Sequence, residues 1–486
     1  MATHNRSSGL PPTYNTSLRD TAIPRTTAPP PRYSAIYGDP QEIVPTGSHP
    51  TEHEFTLRSG MMMTGKPWLT LRVLTRPSKL PHKYPRIFGG ENIAGVVEIK
   101  LDQPMNISSI TLHLRGRMRT GFVDQVYPFL DVTHTIWTKE FDGKFSGDHI
   151  LPFSFPFPTE LDIRPRTSSA KTRQSVVPTK ASAPQTFLES RIQANIDYEL
   201  ILQITHGILR SDSKLKATVV YIPEVMPPPL SEMRQAAYVG GAMSLPWPEK
   251  DPQGWLRLPK VATHGTIQQR EVTIEYELFL AHPLSYTRGT AIPCYLALSS
   301  RDLGALAVMA KTKVQNVCLQ RSITFFEDPN RGVEQVLLQG KEAKTVQDTL
   351  EVGVAVWWTT PRRDENSKAG SDDHIRWLEG EIHLESDLPP SSDFLPFKIG
   401  YTVQILRPDA ALFQPSTWGE QPKADMVNRV LLSYPVTIAT LNADGPIPVP
   451  FTPKPRKPSA QSARQHRTGE DLQMTTMYSK PLSLVA

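Results

Sequence analysis

Residues 86–119 read RIFGGENIAGVVEIKLDQPMNISSITLHLRGRMR, and their apolar side chains recur at every second position. One alternating run extends from Ile93 to Leu101 and a second from Ile110 to Met118, with a short segment containing proline and asparagine between them. A period of two indicates β-strands that bury one face. Two antiparallel strands cannot bury such faces alone, so the rest of the chain must supply further strands.

Strand-like runs of the same kind occur along most of the chain, and helical periodicity is almost absent. About seven or more short runs in each half predict an all-β protein made of two β-sandwiches in tandem. We place the first sandwich at residues 55–222 and the second at residues 265–445. Between them, residues 223–264 are predicted to be a Pro-rich connector with one short helix around residues 231–238.

Three segments lack this strand pattern. Residues 1–54 are rich in Pro, Ser and Thr, residues 446–486 are rich in Pro, Ser and Arg, and both are predicted to be disordered tails, the second of them basic. Residues 164–186 are predicted to be a loop insertion in the first sandwich, because unpatterned loops longer than about 12–15 residues are usually functional or disordered.

The loop insertion carries five basic residues with no acidic residue between them: Arg164, Arg166, Lys171, Arg173 and Lys180. Two interpretations remain open. The loop is either a plain solvated segment, or a regulated contact that binds anionic lipid until phosphorylation of its serines reverses the local charge.

The composition limits the compartment and the class of partner. A net charge of +5 over 486 residues permits contact with an anionic membrane surface and does not indicate nucleic-acid binding. The N-terminus has no signal-peptide pattern, and the most apolar run, residues 303–310, is too short to span a bilayer. Cys294 and Cys318 form no disulfide framework, and their place in strand patterns indicates core positions. A cytoplasmic or peripheral protein is therefore predicted.

The sharpest short motif occurs twice in the first tail, as PPTY and PPRY. Its six residues are Pro11, Pro12, Tyr14, Pro30, Pro31 and Tyr33. Consecutive prolines hold the backbone near polyproline II, so the aromatic groove of a WW domain receives an ordered ridge at little entropic cost. The two motifs are fifteen residues apart, which gives a root-mean-square reach of roughly 20 Å. Binding to one WW domain, or to two WW domains of one partner, is predicted.

Motifs of common enzymes are absent from the sequence: it contains no GxSxG elbow, no P-loop and no HExxH. Four residues that commonly bind metals lie close together, but we expect strand geometry to divide them between two faces: His374, Glu379, Glu381 and His383. The row of Arg115, Arg117 and Arg119 is interpreted as the outer face of a strand. No catalytic residue, metal or cofactor is predicted.

Several strand motifs, in their order, resemble the arrestin family over residues 55–441. In the first sandwich they are GGENIAG, ITLHLRG, LPFSFPFP and IDYEL; in the second they are YTRGTAIPCYLALSS, LEGEIHLESDLPP, IGYTVQI and YPVTIATL. The resemblance implies two immunoglobulin-like, arrestin-type sandwiches that work as an adaptor rather than as an enzyme. The loop at residues 164–186 and the long connector depart from the family pattern.

In arrestin-like proteins of the alpha-arrestin class, PPxY motifs imply recruitment of HECT-type ubiquitin ligases that carry WW domains. The resemblance therefore implies an adaptor that links a transmembrane cargo, either a transporter or a receptor, to such a ligase for ubiquitin-dependent endocytosis and protein sorting. It implies a cytoplasmic protein that acts at the plasma membrane or endosomes. The alternative is an arrestin-fold scaffold in vesicle sorting or signalling that recruits no ligase. Here the motifs precede the β-domains, whereas in the family they more often follow them.

Overall fold

The all-β class is confirmed by a computed structural model. It describes residues 49–58, 65–77, 82–140, 144–163, 180–207, 210–242, 244–359, 373–416 and 429–455. Within these residues the chain forms twenty-three strands and three short helices, and all of them belong to one compact unit. None of the helices in these ranges is long and apolar enough to cross a membrane.

The first half, up to Ile222, contains eleven strands arranged mainly in two sheets. The strands are β1 (Thr51–Arg58), β2 (Pro67–Thr75), β3 (Arg86–Phe88), β4 (Asn92–Met105), β5 (Ile107–Thr120), β6 (Val123–Thr138), β7 (Phe145–Pro156), β8 (Glu160–Asp162), β9 (Lys180–Ser182), β10 (Ala194–His206) and β11 (Ser213–Ile222). One sheet has the order β1-β2-β4-β7 and the other β3-β11-β10-β5-β6, while β8 and β9 pair with each other.

The second half contains the remaining elements. They are α1 (Glu232–Val239), β12 (Trp255–Arg257), β13 (Val261–Ile267), β14 (Arg270–Ala281), β15 (Ser285–Thr287), β16 (Ala291–Ser299), α2 (Leu303–Met309), β17 (Val317–Phe326), α3 (Pro329–Gln339), β18 (Thr345–Thr359), β19 (Ile375–His383), β20 (Ser392–Phe394), β21 (Phe397–Leu406), β22 (Phe413–Pro415) and β23 (Val430–Ala439). Ten strands follow one another in a single sheet, in the order β15-β23-β21-β17-β18-β19-β16-β14-β13-β22, with β12 and β20 paired at its side.

The strand order of the first half is repeated in the second. The series β3-β11-β10-β5-β6 corresponds to β15-β23-β21-β17-β18, and β7-β4-β2-β1 corresponds to β19-β16-β14-β13. In both halves the short first strand of the series lies parallel to its neighbour, β3 to β11 and β15 to β23. A glycine with positive φ precedes the next long strand each time, Gly90 at 79° and Gly289 at 84°, where a Cβ would be disfavoured.

The two halves differ at one corner. In the second half, β18 joins the two strand series into one sheet. The first part of β18 pairs with β17 up to Val354, and from Ala355 it pairs with β19. A strand that changes sheets in this way turns two layers into one curled sheet. In the first half the corresponding strands β6 and β7 remain in separate sheets.

The opening stretch, residues 86–119, supplies one long strand to each sheet of the first half. The expected alternation is confirmed, since Ile93, Val97 and Leu112 are fully buried. The two strands are consecutive but do not form a hairpin: β4 pairs with β2 and β7, and β5 pairs with β10 and β6. Their buried faces contribute to the same apolar core. Each strand forms its backbone hydrogen bonds within a different sheet.

The segment predicted as a connector packs on the second half. Its short helix is present as α1, which begins after Ser231, whose hydroxyl caps the amide of Arg234. The Arg234 side chain is buried, donates to the carbonyl oxygens of His282 (2.7 Å) and Gly254, and lies over the Trp255 ring. Backbone carbonyls and an aromatic face thus hold α1 against the strands that follow it.

Candidate functional site

Most of the predicted interaction residues lie outside the described part of the chain. These are Pro11, Pro12, Tyr14, Pro30, Pro31 and Tyr33 of the two PPxY motifs, and Arg164, Arg166, Lys171 and Arg173 of the basic loop. The remaining loop residue, Lys180, is exposed at the start of β9, where it pairs opposite Asp162 of β8. The WW-binding and lipid-binding hypotheses therefore remain predictions.

The row of arginines on β5 is part of the sheet surface, as expected. Arg117 contacts Asp197 of β10 at 2.7 Å, Arg119 approaches the same carboxylate at 3.7 Å, and Arg115 contacts Asp131 of β6 at 3.3 Å. Acidic residues on both neighbouring strands offset the positive charge. The row is thus a set of cross-strand ion pairs on the outer face of the sheet.

Both cysteines are core residues, as the strand patterns indicated. Cys294 on β16 and Cys318 on β17 are buried and free. Burial, with the nearby Glu351 carboxylate, raises the pKa of Cys318 to about 12, and burial raises the pKa of Cys294 well above its ordinary value. A protonated, enclosed thiol is a poor nucleophile.

We expect native Cys318 to react with iodoacetamide at pH 8 about a thousandfold more slowly than in the unfolded chain, because its thiolate fraction falls about tenfold for each unit of raised pKa. Mass spectrometry of the alkylated peptides, with and without guanidinium, measures the two rates. Fast alkylation of either cysteine in the folded protein would contradict the burial described above.

A seam of contacts joins the two halves, and its centre is a bidentate ion pair. Arg321 on β17 donates from its two terminal nitrogens to the two carboxylate oxygens of Glu189, at 2.6 and 2.7 Å. The Arg321 side chain is only 5% exposed, so this pair lies largely out of water. A more exposed pair, Arg191 with Asp348 at 2.7 Å, lies in the same seam. Two parallel charge-assisted bonds fix orientation as well as distance.

Aromatic rings flank the ion pairs of the seam. Phe187 lies 4.9 Å from Phe397 between ring centroids, and Phe129 meets Phe394 edge-to-face at 5.0 Å. The Thr120 hydroxyl adds a hydrogen bond of 2.8 Å to the carbonyl oxygen of Glu327. The halves are therefore held together by apolar burial combined with directional polar contacts. Sequence reasoning missed the seam, because its partners are more than a hundred residues apart.

Three of the four residues considered as metal ligands lie on β19, and their burial was missed. Glu379, Glu381 and His383 share one buried face, because residues two apart on a strand point the same way, while His374 precedes the strand. Burial raises the pKa of Glu379. Among the described residues, no group of three or more His, Cys, Asp or Glu side chains is placed to hold a metal ion.

The donors to Glu381 come from the segment that follows the last strand. The amides of Phe451 and Thr452 donate to its two oxygens at 3.0 and 2.7 Å, and the Thr452 hydroxyl and His383 lie against the same carboxylate. Residues 446–455, expected to begin a disordered tail, thus lie on the second sheet in the structure. This placement could not be predicted from local composition, because the carboxylate that binds the segment lies seventy residues earlier in the chain.

The half-buried Glu189 carboxylate and the buried Glu381 carboxylate each accept hydrogen bonds from a distant part of the chain and hold that part in place. No protein-family model matches this sequence, and no significant relative is found among curated proteins.

Proposed function

We propose that the chain is a non-catalytic adaptor that links membrane cargo proteins to a WW-domain ubiquitin ligase of the HECT type. The observation that carries this proposal is the pair of PPxY motifs, PPTY and PPRY, within one Pro-rich segment ahead of a large β-body. Each motif combines a polyproline II ridge with a tyrosine that fills a second pocket. Two copies raise the effective affinity for a partner with several WW domains.

The duplicated body supports an arrestin-type arrangement of two sandwiches. The motifs that resemble the arrestin family fall on equivalent elements: GGENIAG and YTRGTAIP precede and begin β4 and β16, while IDYEL and IGYTV lie on β10 and β21. In both halves the central tyrosine of that strand is buried and donates to a proline carbonyl upstream, Tyr198 to Pro184 at 2.7 Å and Tyr401 to Pro389 at 2.6 Å.

A second repeated contact supports the same duplication. Thr186 donates its amide to the carbonyl of Tyr221 and receives the Tyr221 amide on its hydroxyl, at 3.1 and 2.9 Å. Ser391 and Ile438 make the same reciprocal pair in the second half, at 3.0 and 2.9 Å. Two copies of one fold, joined by an ordered seam, suit a scaffold that presents a large surface to cargo.

The proposed partners follow from this division of the chain. The segment of residues 1–54 recruits the ligase, and the β-body contacts the cytoplasmic face of a transporter or receptor at the plasma membrane or endosomes. The basic residues of the 164–186 loop provide attraction to an anionic membrane surface, at about 1 kcal/mol for each residue near the lipid.

We expect the double variant Tyr14→Ala, Tyr33→Ala to bind isolated WW domains more than about tenfold more weakly than the wild-type chain, because each motif loses the ring and hydroxyl that complete its recognition. Titration of the full chain with a single WW domain and with a tandem pair measures this change. Each single variant is expected to keep its binding to one WW domain and to lose mainly the tighter binding to the tandem pair.

A matched control is Tyr37→Ala, which removes a tyrosine from the same segment outside both PPxY motifs. It should leave WW binding unchanged. Equal binding by the wild type and the double variant would reject ligase recruitment through these motifs and favour the scaffold that works without a ligase.

A further inference from the structure

The last described segment, residues 446–454, lies across the second sheet as a strap. Its Phe451 ring stacks on Tyr238 of α1 at 6.3 Å between centroids, and the Lys454 ammonium contacts Glu385 at 2.5 Å. Ile447 and Val449 are more than half exposed. We call this segment the strap. Its Pro446 and Pro448 are half-buried and line a cavity beside Tyr238, while its hydrogen bonds to the second sheet lie at its C-terminal end.

One buried carboxylate accepts hydrogen bonds from the C-terminal end of the strap. Glu381 is 1% exposed, and in the described part of the chain its hydrogen-bond donors are the Phe451 amide and the Thr452 amide and hydroxyl, while His383 Nε2 lies 3.1 Å from the same carboxylate. His383 also lies 2.9 Å from the Thr452 hydroxyl oxygen. Hydrogen bonds to a charged acceptor are about twice as strong as neutral ones. Thr452 supplies two of the three hydrogen bonds from the strap to Glu381, so a change at its hydroxyl acts directly on this attachment.

A cavity of about 260 Å³ adjoins this attachment and is lined by His383, Thr452 and Lys454, among others. The strap residues beyond Thr452 are exposed. A short peripheral segment with few buried contacts opens locally at a small fraction of the global unfolding free energy. Thr452 is thus accessible to another protein in the open form without unfolding of the sheet.

The sequence around Thr452 has the Thr-Pro pair that protein kinases of the proline-directed class require. Thr452 is followed by Pro453, and Lys454, Arg456 and Lys457 supply positive charge just after it. The chain contains two Thr-Pro pairs and no Ser-Pro pair; the other is Thr360 with Pro361. The Thr452 hydroxyl contacts the buried carboxylate of Glu381, and Thr360 lies outside the described residues.

We propose that Thr452 is a phosphorylation site whose modification detaches the strap from the second sheet. In the open form the Thr452 hydroxyl oxygen attacks the γ-phosphorus of ATP, the bond from that phosphorus to the β,γ-bridging oxygen breaks, and ADP leaves. The hydroxyl proton passes to the catalytic base of the kinase. The product carries a phosphate of nearly two negative charges at the position of the former donor.

The phosphate is incompatible with the closed position because Glu381 loses a donor and faces a like charge. Glu379, also buried on this face of β19, and Glu385 add to the acidic surroundings. The nearby basic side chains are already engaged: His383 lies 3.1 Å from Glu381, and Lys454 pairs with Glu385. Detachment uncovers Glu381, His383 and the Tyr238 ring, and frees the segment after the last strand.

Hydrogen–deuterium exchange of the full chain tests this proposal, because the Phe451 and Thr452 amides report directly on contact with Glu381. After treatment with a proline-directed kinase and ATP, exchange at these two amides is expected to become about tenfold faster or more. Exchange in β10 should stay unchanged, which verifies that the fold is intact.

The matched control is Thr452→Val, which keeps both backbone donors and leaves Thr360 as the remaining Thr-Pro site. Kinase treatment of this variant should not alter exchange in the strap. The proposal is overturned if Thr452 becomes fully phosphorylated while its amide stays protected, as would occur if the adjoining cavity accepted the phosphate. It is equally overturned if Thr360 is phosphorylated and Thr452 is not. The inference concerns a different part of the chain from the PPxY motifs and stands independently of ligase binding.

Discussion

Replacing Phe397 with alanine is expected to lower the free energy of unfolding by about 4 kcal/mol. Phe397 is 1% exposed, and its ring packs 4.9 Å from Phe187 of the first half and 6.4 Å from Phe325 of its own half. Removal of a buried phenyl ring loses its transfer free energy and leaves a cavity, which together amount to about 3–5 kcal/mol. Urea unfolding followed by tryptophan fluorescence measures the change.

Phe122→Ala is the matched control for this substitution. Phe122 also belongs to the seam and lies 6.3 Å from Phe325, but its side chain is 46% exposed. We expect it to lower the free energy of unfolding by less than about 1 kcal/mol, because little surface is withdrawn from water there. Similar losses for both variants would mean that the seam is not packed as the structure describes.

The second large effect is expected from Glu189→Ala, at about 3 kcal/mol of lost unfolding free energy. This change leaves the buried Arg321 guanidinium without its carboxylate, and removal of one partner from a buried pair strongly destabilises a protein. Arg321→Met should cost less, because the Glu189 carboxylate is 23% exposed and can turn to water. The double variant Glu189→Leu, Arg321→Met should recover most of the loss.

Asp348→Asn controls for an ordinary ion pair in the same seam. Its partner Arg191 is 49% exposed and Asp348 is 32% exposed, so the change should lower the unfolding free energy by less than about 1 kcal/mol. Comparable losses from Asp348→Asn and Glu189→Ala would show that the buried pair adds no more than a surface contact. A coupling free energy near zero in the double-mutant cycle would lead to the same conclusion.

Features that depend on neighbouring residues were predictable, and features that depend on contacts between distant residues were not. Alternation in residues 86–119 specifies strands because side chains two apart share a face, and this holds whatever the strand pairs with. The pairing itself was not predictable: β4 and β5 look like a hairpin, yet they lie in different sheets. The register of a strand and its pairing partner depend on which distant strands supply complementary faces. The alternation within one strand does not specify those partners.

The β19 cluster illustrates the same limit at a candidate site. Glu379, Glu381 and His383 share one parity in the sequence, so their common face could have been predicted from spacing alone. Their burial could not, because isolated carboxylates are expected at the surface. Glu381 is buried since a segment seventy residues later supplies its hydrogen bonds. Contacts that satisfy a buried charge are chosen by tertiary proximity, not by neighbouring residues.

Local order in the sequence was enough to determine the all-β class, the core position of both cysteines and the outer position of the β5 arginines, because each depends on the period of a strand. It also supplied the PPxY hypothesis, since a linear motif needs no fold. The tertiary structure alone decided the repeated sheet order, the Glu189–Arg321 seam and the attachment of the strap to Glu381. These features join residues far apart in the chain, and their stability comes from burial that exists only after the chain has folded.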